Sequence, residues 1–167
     1  SCSVAMYINS GGYGLKEAGP EPVTARRSTV FTTDNGTGTN LIGVLLPLTG
    51  DLADTGSSYL SALNQAFAAI TSTPGMPPIR LMIEDTATDS ATAYEKLVEL
   101  RSNGCHIVLG PESSEECRIL KIYANENDVL LISSSATATP LALPDDNLMR
   151  LTIDDSNQAR ALAELLA

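Results

Sequence analysis

The sequence predicts an α/β fold, a parallel sheet with helices on both faces. Three observations carry that expectation. Short apolar runs recur at residues 41–46, 79–83, 106–109 and 129–132. Between them, apolar residues repeat every three or four positions, the spacing of a helix with one buried stripe. The connections are short. Strands alternating with helices in this way build a parallel sheet joined by crossovers.

The chain has 167 residues, a length that suits one domain. Hydrophobic residues make up 43% and charged residues 18%, a globular composition rather than a disordered one. Ten Lys and Arg face twenty Asp and Glu, for a formal charge of −10. That balance argues against nucleic acid as a partner and against adhesion to anionic lipid. The longest apolar run, residues 41–46, is far short of the roughly 20 residues of a membrane-spanning helix. One His and three Cys offer little for a zinc site, and no metal or other cofactor is expected. Five Tyr and two Phe, with no Trp, make base-stacking platforms unlikely by composition.

Residues 1–40 read as an N-terminal tether with some local order, rich in Gly and Pro at Gly11-Gly12, Gly14, Gly19-Pro20 and Pro22. Two short apolar stretches, 4–8 and 28–33, could pair as strands, with no partner fixed. The run 41–46 suits a strand buried on both faces. Residues 57–70 place Leu60, Leu63, Phe67 and Ile70 on one helical stripe. Pro74-Gly75 and Pro77-Pro78 break it before the second strand, 79–83. Asp89 or Ser90 caps the next helix, with Ala93, Leu97 and Leu100 inward and Asn103-Gly104 as its stop. After the third strand, 106–109, Ser113 or Ser114 caps a helix to about residue 125. The fourth strand is 129–132, a fifth is expected over 148–152, and 156–167 reads as helical with Leu162, Leu165 and Leu166.

In such folds ligands bind outside the carboxyl ends of the strands. Two hydroxyl-rich loops fall there. Gly110-Pro111-Glu112-Ser113-Ser114 ends a strand and opens a helix, whose first N–H groups favour an anion. Ser133-Ser134-Ser135-Ala136-Thr137 follows the next strand. Each has a plainer reading, as a helix cap and a polar turn. Pro47-Leu48-Thr49-Gly50 and Gly56 border the same edge, where glycine permits close backbone approach. Neither a dinucleotide fingerprint nor a phosphate-binding Gly-Lys-Ser/Thr loop is present. No Ser sits in a G-x-S-x-G elbow, His106 lies at the opposite end of the sheet, and Asp85 and Asp89 read as loop caps. No catalytic residue is expected. Cys105 and Cys117 flank a strand whose length, roughly 15 Å or more at ~3.3 Å per residue, forbids a bridge, so two separate thiols are expected.

Residues 42–50, Ile-Gly-Val-Leu-Leu-Pro-Leu-Thr-Gly, with Ala53 and Gly56, resemble the opening of the type I periplasmic binding proteins, and most of all the branched-chain amino acid receptors of ABC transporters. The likeness continues through Glu84-Asp85-Thr86 with Asp89, then Val108-Leu109-Gly110-Pro111 with Ser113-Ser114. It ends in Ser135-Ala136-Thr137, Pro140-Leu141 and Arg150-Leu151-Thr152. It spans about residues 41–167, as an ordered series rather than one specific motif.

The resemblance implies a Rossmann-like first lobe over 41–152 and the start of a second lobe at 153–167, in a family about twice this length. It implies an extracytoplasmic solute-binding protein, not an enzyme, that captures a small polar ligand, amino acid-like, for an ABC transporter permease. Ligand-binding residues would be Ser113, Ser114, Ser135, Ala136, Thr137, Thr49 and Gly50. By the family's pattern, Ser114 would hold a ligand carboxylate, while the Ser135 backbone and Thr137 would hold its amino and carboxylate groups. Glu112, Glu115 and Glu116 around Ser114 depart from that pattern and favour a neutral or cationic ligand, or a shifted pose. Cys2 would be a lipid anchor, as in a lipoprotein, and the membrane would be touched only there. The leucines of 156–167 would form homo-oligomer contacts if nothing else covers them. The alternatives are a ligand-sensing receptor ectodomain of the same fold and a lobe-only protein-interaction module.

Overall fold

A computed structural model describes residues 40–166 together with the strand backbones Val4–Asn9, Gly12–Glu17 and Thr29–Thr32. Strands β1 (Val4–Asn9) and β2 (Gly12–Glu17) form an antiparallel pair. β3 (Thr29–Thr32), β4 (Asn40–Leu46), β5 (Ile79–Asp85), β6 (Ile107–Leu109), β7 (Leu130–Ser133) and β8 (Leu148–Arg150) form the main sheet, in the order β3-β5-β4-β6-β7-β8. Five of these strands are parallel, and β3 adds to the β5 edge in the antiparallel sense. Helices α1 (Ala53–Thr71), α2 (Ser90–Ser102), α3 (Ser114–Glu126) and α4 (Asp155–Leu166) complete the order, with a single 3-10 turn at Thr139–Leu141. The expected α/β architecture is therefore observed.

β4 is central, and its alternating side chains sort the core into two layers. Val44 and Leu46 pack with Leu81, Ile83 and Phe67 on the α1 side. Leu45 packs with Met82, Val108 and Leu131 against Leu97, Leu100, Leu120 and Ala124 of α2 and α3. The expected inward face of α2, Ala93, Leu97 and Leu100, is buried completely. Gly104 adopts the left-handed conformation (φ +93°) just past α2, as an αL stop requires.

Boundaries differ most at α1, β5 and β8, and β5 runs to Asp85, two residues past its expected end. α1 starts at Ala53, four residues before the expected start, and of its stripe Phe67 is buried, Leu60 and Leu63 are half-buried and Ile70 is exposed. Leu52 stands at the cap without a side-chain bond, so the start carries no capping signature. Gly56, read as loop, lies inside α1 because the helix presses on the preceding loop: a Cβ there would strike the Pro47 carbonyl oxygen. β8 ends at Arg150, two residues short of the expected end.

One charged pair lies within the core's edge. The Lys96 ammonium is 2.9 Å from Glu84, which is 2% exposed, and 2.7 Å from Glu99. Burial pulls the Lys96 pKa down, but the bonds to Glu99 and Glu84 outweigh it and leave the pKa raised.

Two stability predictions follow from these contacts. Gly56→Ala should destabilise the lobe by roughly 1–3 kcal/mol in urea unfolding, since carbonyl and helix must separate. Lys96→Met should cost about 3–5 kcal/mol by stranding the Glu84 charge, and pairing it with Glu84→Gln should recover much of that loss. An unchanged midpoint for either single variant would contradict the packing described.

Candidate functional site

The carboxyl ends of β4, β5, β6 and β7 bring four loops to one edge of the sheet. Asp85, the last residue of β5, organises the first two. Its Oδ1 accepts from the backbone N–H groups of Leu48 (2.9 Å), Thr49 (3.1 Å) and Ala87 (2.8 Å). Its Oδ2 accepts from the Thr49 hydroxyl at 2.6 Å. Thr88 adds a second tie, donating to the Thr49 carbonyl at 3.1 Å and accepting from Leu52 N–H at 3.1 Å. Gly50 (φ +84°) lies so close that a Cβ would collide with the Ala87 carbonyl. Asp85 caps its own loop through Ala87 N–H, as expected, and in addition tethers a loop 36 to 37 residues away. Asp89 is a true cap, accepting from Thr92 N–H at 2.7 Å.

The other two loops meet through Glu112. Its carboxylate accepts from the Ser134 hydroxyl at 2.7 Å, and the Ser135 hydroxyl lies 2.6 Å from its carbonyl and 2.7 Å from its carboxylate. Ser113 caps α3 by accepting from Glu116 N–H at 3.1 Å. The N–H groups of Ser114 and Glu115 then stand at the helix start without intrahelical acceptors. The Ser114 hydroxyl accepts from Ala138 N–H at 3.2 Å. Ala136 is buried, its N–H bonded to the Ser133 hydroxyl at 3.2 Å. The Thr137 carbonyl accepts from Asp155 N–H at 2.9 Å. Arg150 locks the turn by donating to the Ala136 and Ala138 carbonyls at 3.2 and 3.1 Å.

The predicted residues thus form two groups. Ser113, Ser114, Ser135, Ala136 and Thr137 converge across the β6 and β7 ends through Glu112. Thr49 and Gly50 are held to β5 by Asp85. The three acidic residues near Ser114 have separate roles. Glu112 is the bridge, and exposed Glu115 pairs with Arg118, which holds its carboxyl below the usual range. Glu116 is buried inward. The bridging of Glu112, the Arg150 clamp and the Asp85 tether were missed in sequence, because each joins residues far apart in the chain.

Cys105 and Cys117 are free thiols, as the spacing predicted. Burial pushes each thiol up to about 11, which keeps both protonated and poorly nucleophilic at neutral pH. His106 is exposed at the far end of β6, with Nδ1 3.2 Å from the Asp128 carbonyl. Cys2, the expected lipid anchor, lies outside the described residues.

Residues 41–167 match the family model described as periplasmic binding protein. An uncharacterized protein of Methanocaldococcus jannaschii is 31% identical over 146 residues, covering 80% of this chain and 35% of that protein. A branched-chain amino acid transporter substrate binding protein from Streptococcus pneumoniae, solved with isoleucine, is similar at 28% identity and TM-score 0.62, over 71% of this chain and 35% of that one. A leucine binding protein from Thermotoga maritima shares the fold at 20% identity and TM-score 0.67, over 75% and 36% of the two chains. The chain spans about a third of the length of these relatives.

Glu112→Ala should leave the Ser134 and Ser135 hydroxyls without their acceptor and lower stability by about 1–3 kcal/mol in thermal unfolding, with Glu112→Gln keeping more than half of it. Equal loss in both variants would mean that the bridge is not what Glu112 contributes.

Proposed function

The chain belongs to the periplasmic binding protein family, and from that premise we propose that it forms the first lobe of an extracytoplasmic solute-binding protein serving an ABC importer. The convergence of the α3 start with the Ser133–Thr137 turn, bridged by Glu112, is the observation that carries this reading. Free N–H groups at Ser114 and Glu115 suit a ligand carboxylate. Thr137, whose hydroxyl has no hydrogen-bond partner among the described residues, suits a second polar group beside it. Thr49 and Gly50 border the ligand rather than grip it, since the Thr49 hydroxyl already donates to Asp85. No bond is made or broken in this function. Binding energy shifts an equilibrium between open and closed lobes.

The ligand in this reading is a small amino acid-like solute. The engagement of Glu112 by two serine hydroxyls, and the pairing of Glu115 with Arg118, remove part of the charge conflict expected around Ser114. The lobe covers residues 41–152 and a second lobe begins at 153. The exposure of Leu162, Leu165 and Leu166 on α4, at 57, 80 and 77%, supports a chain that continues into a partner lobe over that face. Cys2 stays the proposed lipid anchor.

The test is calorimetric titration of the full-length protein with isoleucine, leucine and lysine, repeated with Ser114→Ala and Thr137→Ala. One of the three should bind with micromolar or tighter affinity, and each variant should weaken it by about tenfold or more, the worth of one or two lost polar contacts. Binding that both variants leave intact would remove the assigned site. Absence of binding by all three would remove the amino acid-like ligand.

A further inference from the structure

We propose that Glu116 is a proton-binding site built into the start of α3, whose loss of a proton loosens the Ser113–Ser114 end of the helix. Glu116 is 2% exposed, and neither carboxyl oxygen has an aligned hydrogen-bond partner among the described residues. Beside it, the hydroxyl of Thr86, fully buried after β5, also has no aligned partner, the Glu116 carboxyl being its polar neighbour. Buried polar atoms left in this way are rare, and a buried unpaired carboxylate is the costliest of them. A protonated carboxyl removes the charge and gains an O–H to offer the neighbouring hydroxyls of Thr86 or Ser113.

The charged groups around the site leave no counter-ion for an ionised Glu116. From the preceding loop comes Glu112, a like charge. On α2, Lys96 is bound to Glu84 and Glu99. On β8, Arg150 is bound to the Ala136 and Ala138 carbonyls. On α3 itself, Arg118 pairs with Glu115 and Lys121 with Asp146, while Cys117 carries a neutral thiol. β7 contributes the Ser133 hydroxyl, which accepts from Ala136 N–H. Burial is the largest influence on Glu116 and raises its pKa; the Thr86 and Ser113 hydroxyls counter it in part, and Glu112 adds to it. The helix-start dipole favours the ionised form but is weaker than full desolvation.

The consequence reaches the candidate site because Glu116 N–H is the group that Ser113 caps, and Cys117 N–H bonds the Ser113 carbonyl at 3.0 Å. A carboxylate forced toward water would draw this turn with it. The sign follows from linkage. The folded state holds the Glu116 proton above the ordinary value of 4.5, so it binds more protons than the unfolded state. The contribution to stability is full below that ordinary value and is lost as pH rises through the folded value.

The experiment uses the full-length chain and no ligand, so its failure is separate from that of the solute-binding reading. Urea midpoints are measured from about pH 4.5 to about pH 8 for the native protein and for Glu116→Gln, alongside infrared difference spectra in the carboxylic acid region. The native midpoint should fall as pH rises, and the isosteric amide should flatten that fall. A protonated carboxyl band should persist in the native protein above the pH range in which an exposed glutamate ionises, and be missing from the variant. Parallel pH profiles, or a native carboxyl band lost at the same pH as that of an exposed glutamate, would overturn the proposal. The spectrum of the native protein decides the matter even if the variant does not fold.

Discussion

The edge of the sheet that bears the candidate site depends on the carboxylate of Asp85. Four donors, three backbone N–H groups and one hydroxyl, converge on its two oxygens. Parallel strands end independently, each running into its own loop, and nothing in the ladder hydrogen bonds aligns those loops. Asp85 supplies the alignment between the β4 and β5 ends. The left-handed conformations of Ala87 and Thr88, at φ +54° each, become tolerable because the carboxylate and the Thr88 hydroxyl hold both sides of the turn. Glu112 performs the matching task for the β6 and β7 ends. The site rests on two carboxylates that contact loops rather than on the strands themselves.

These carboxylates also explain how an acidic chain tolerates glutamates and aspartates crowded at one edge of its sheet. Their negative charge is distributed over oriented dipoles, N–H at Asp85 and O–H at Glu112, in place of cations. The cations of this region are used elsewhere. Arg150 holds the turn after β7 through carbonyls, and Lys96 neutralises Glu84 beneath α2. Guanidinium suits the first task, since one of its nitrogens, Nη1, serves both carbonyls. An ammonium suits the second, a point charge shared between two carboxylates.

The layered core was legible in the sequence because its signal is local. A strand buried on both faces must be apolar along its buried length, as β4 is from Leu41 to Leu46, and a helix with one inward face must repeat at three and four, as α2 does. The helix start at Ser113 was legible within one residue for the same reason. What could not be read is polar and distant. The bond from Thr49 to Asp85 crosses 36 residues, and that from Ser135 to Glu112 crosses 23. Nothing in either loop distinguishes a hydroxyl that faces a ligand from one that faces a carboxylate on the next strand. The α1 start was missed because its cap is a leucine and its close contact is made by a glycine, neither of which advertises a helix. The candidate residues were therefore chosen from their place in the fold, and their bonds came only from the coordinates.

The antiparallel β3 has a consequence of another kind. Its pairing with β5, Thr29 opposite Ile83 through Thr32 opposite Arg80, covers an outer row of N–H and C=O groups that would otherwise face solvent. A bare strand edge is a template for a neighbouring chain, and β5 carries the apolar run Leu81-Met82-Ile83 that such templating favours. A short strand laid in the opposite sense acts as a cover strip, contributed by the segment ahead of the lobe. Trimming the chain upstream of Thr29 would leave the strip in place, whereas trimming past Thr32 would convert the lobe's flank into a seed for aggregation.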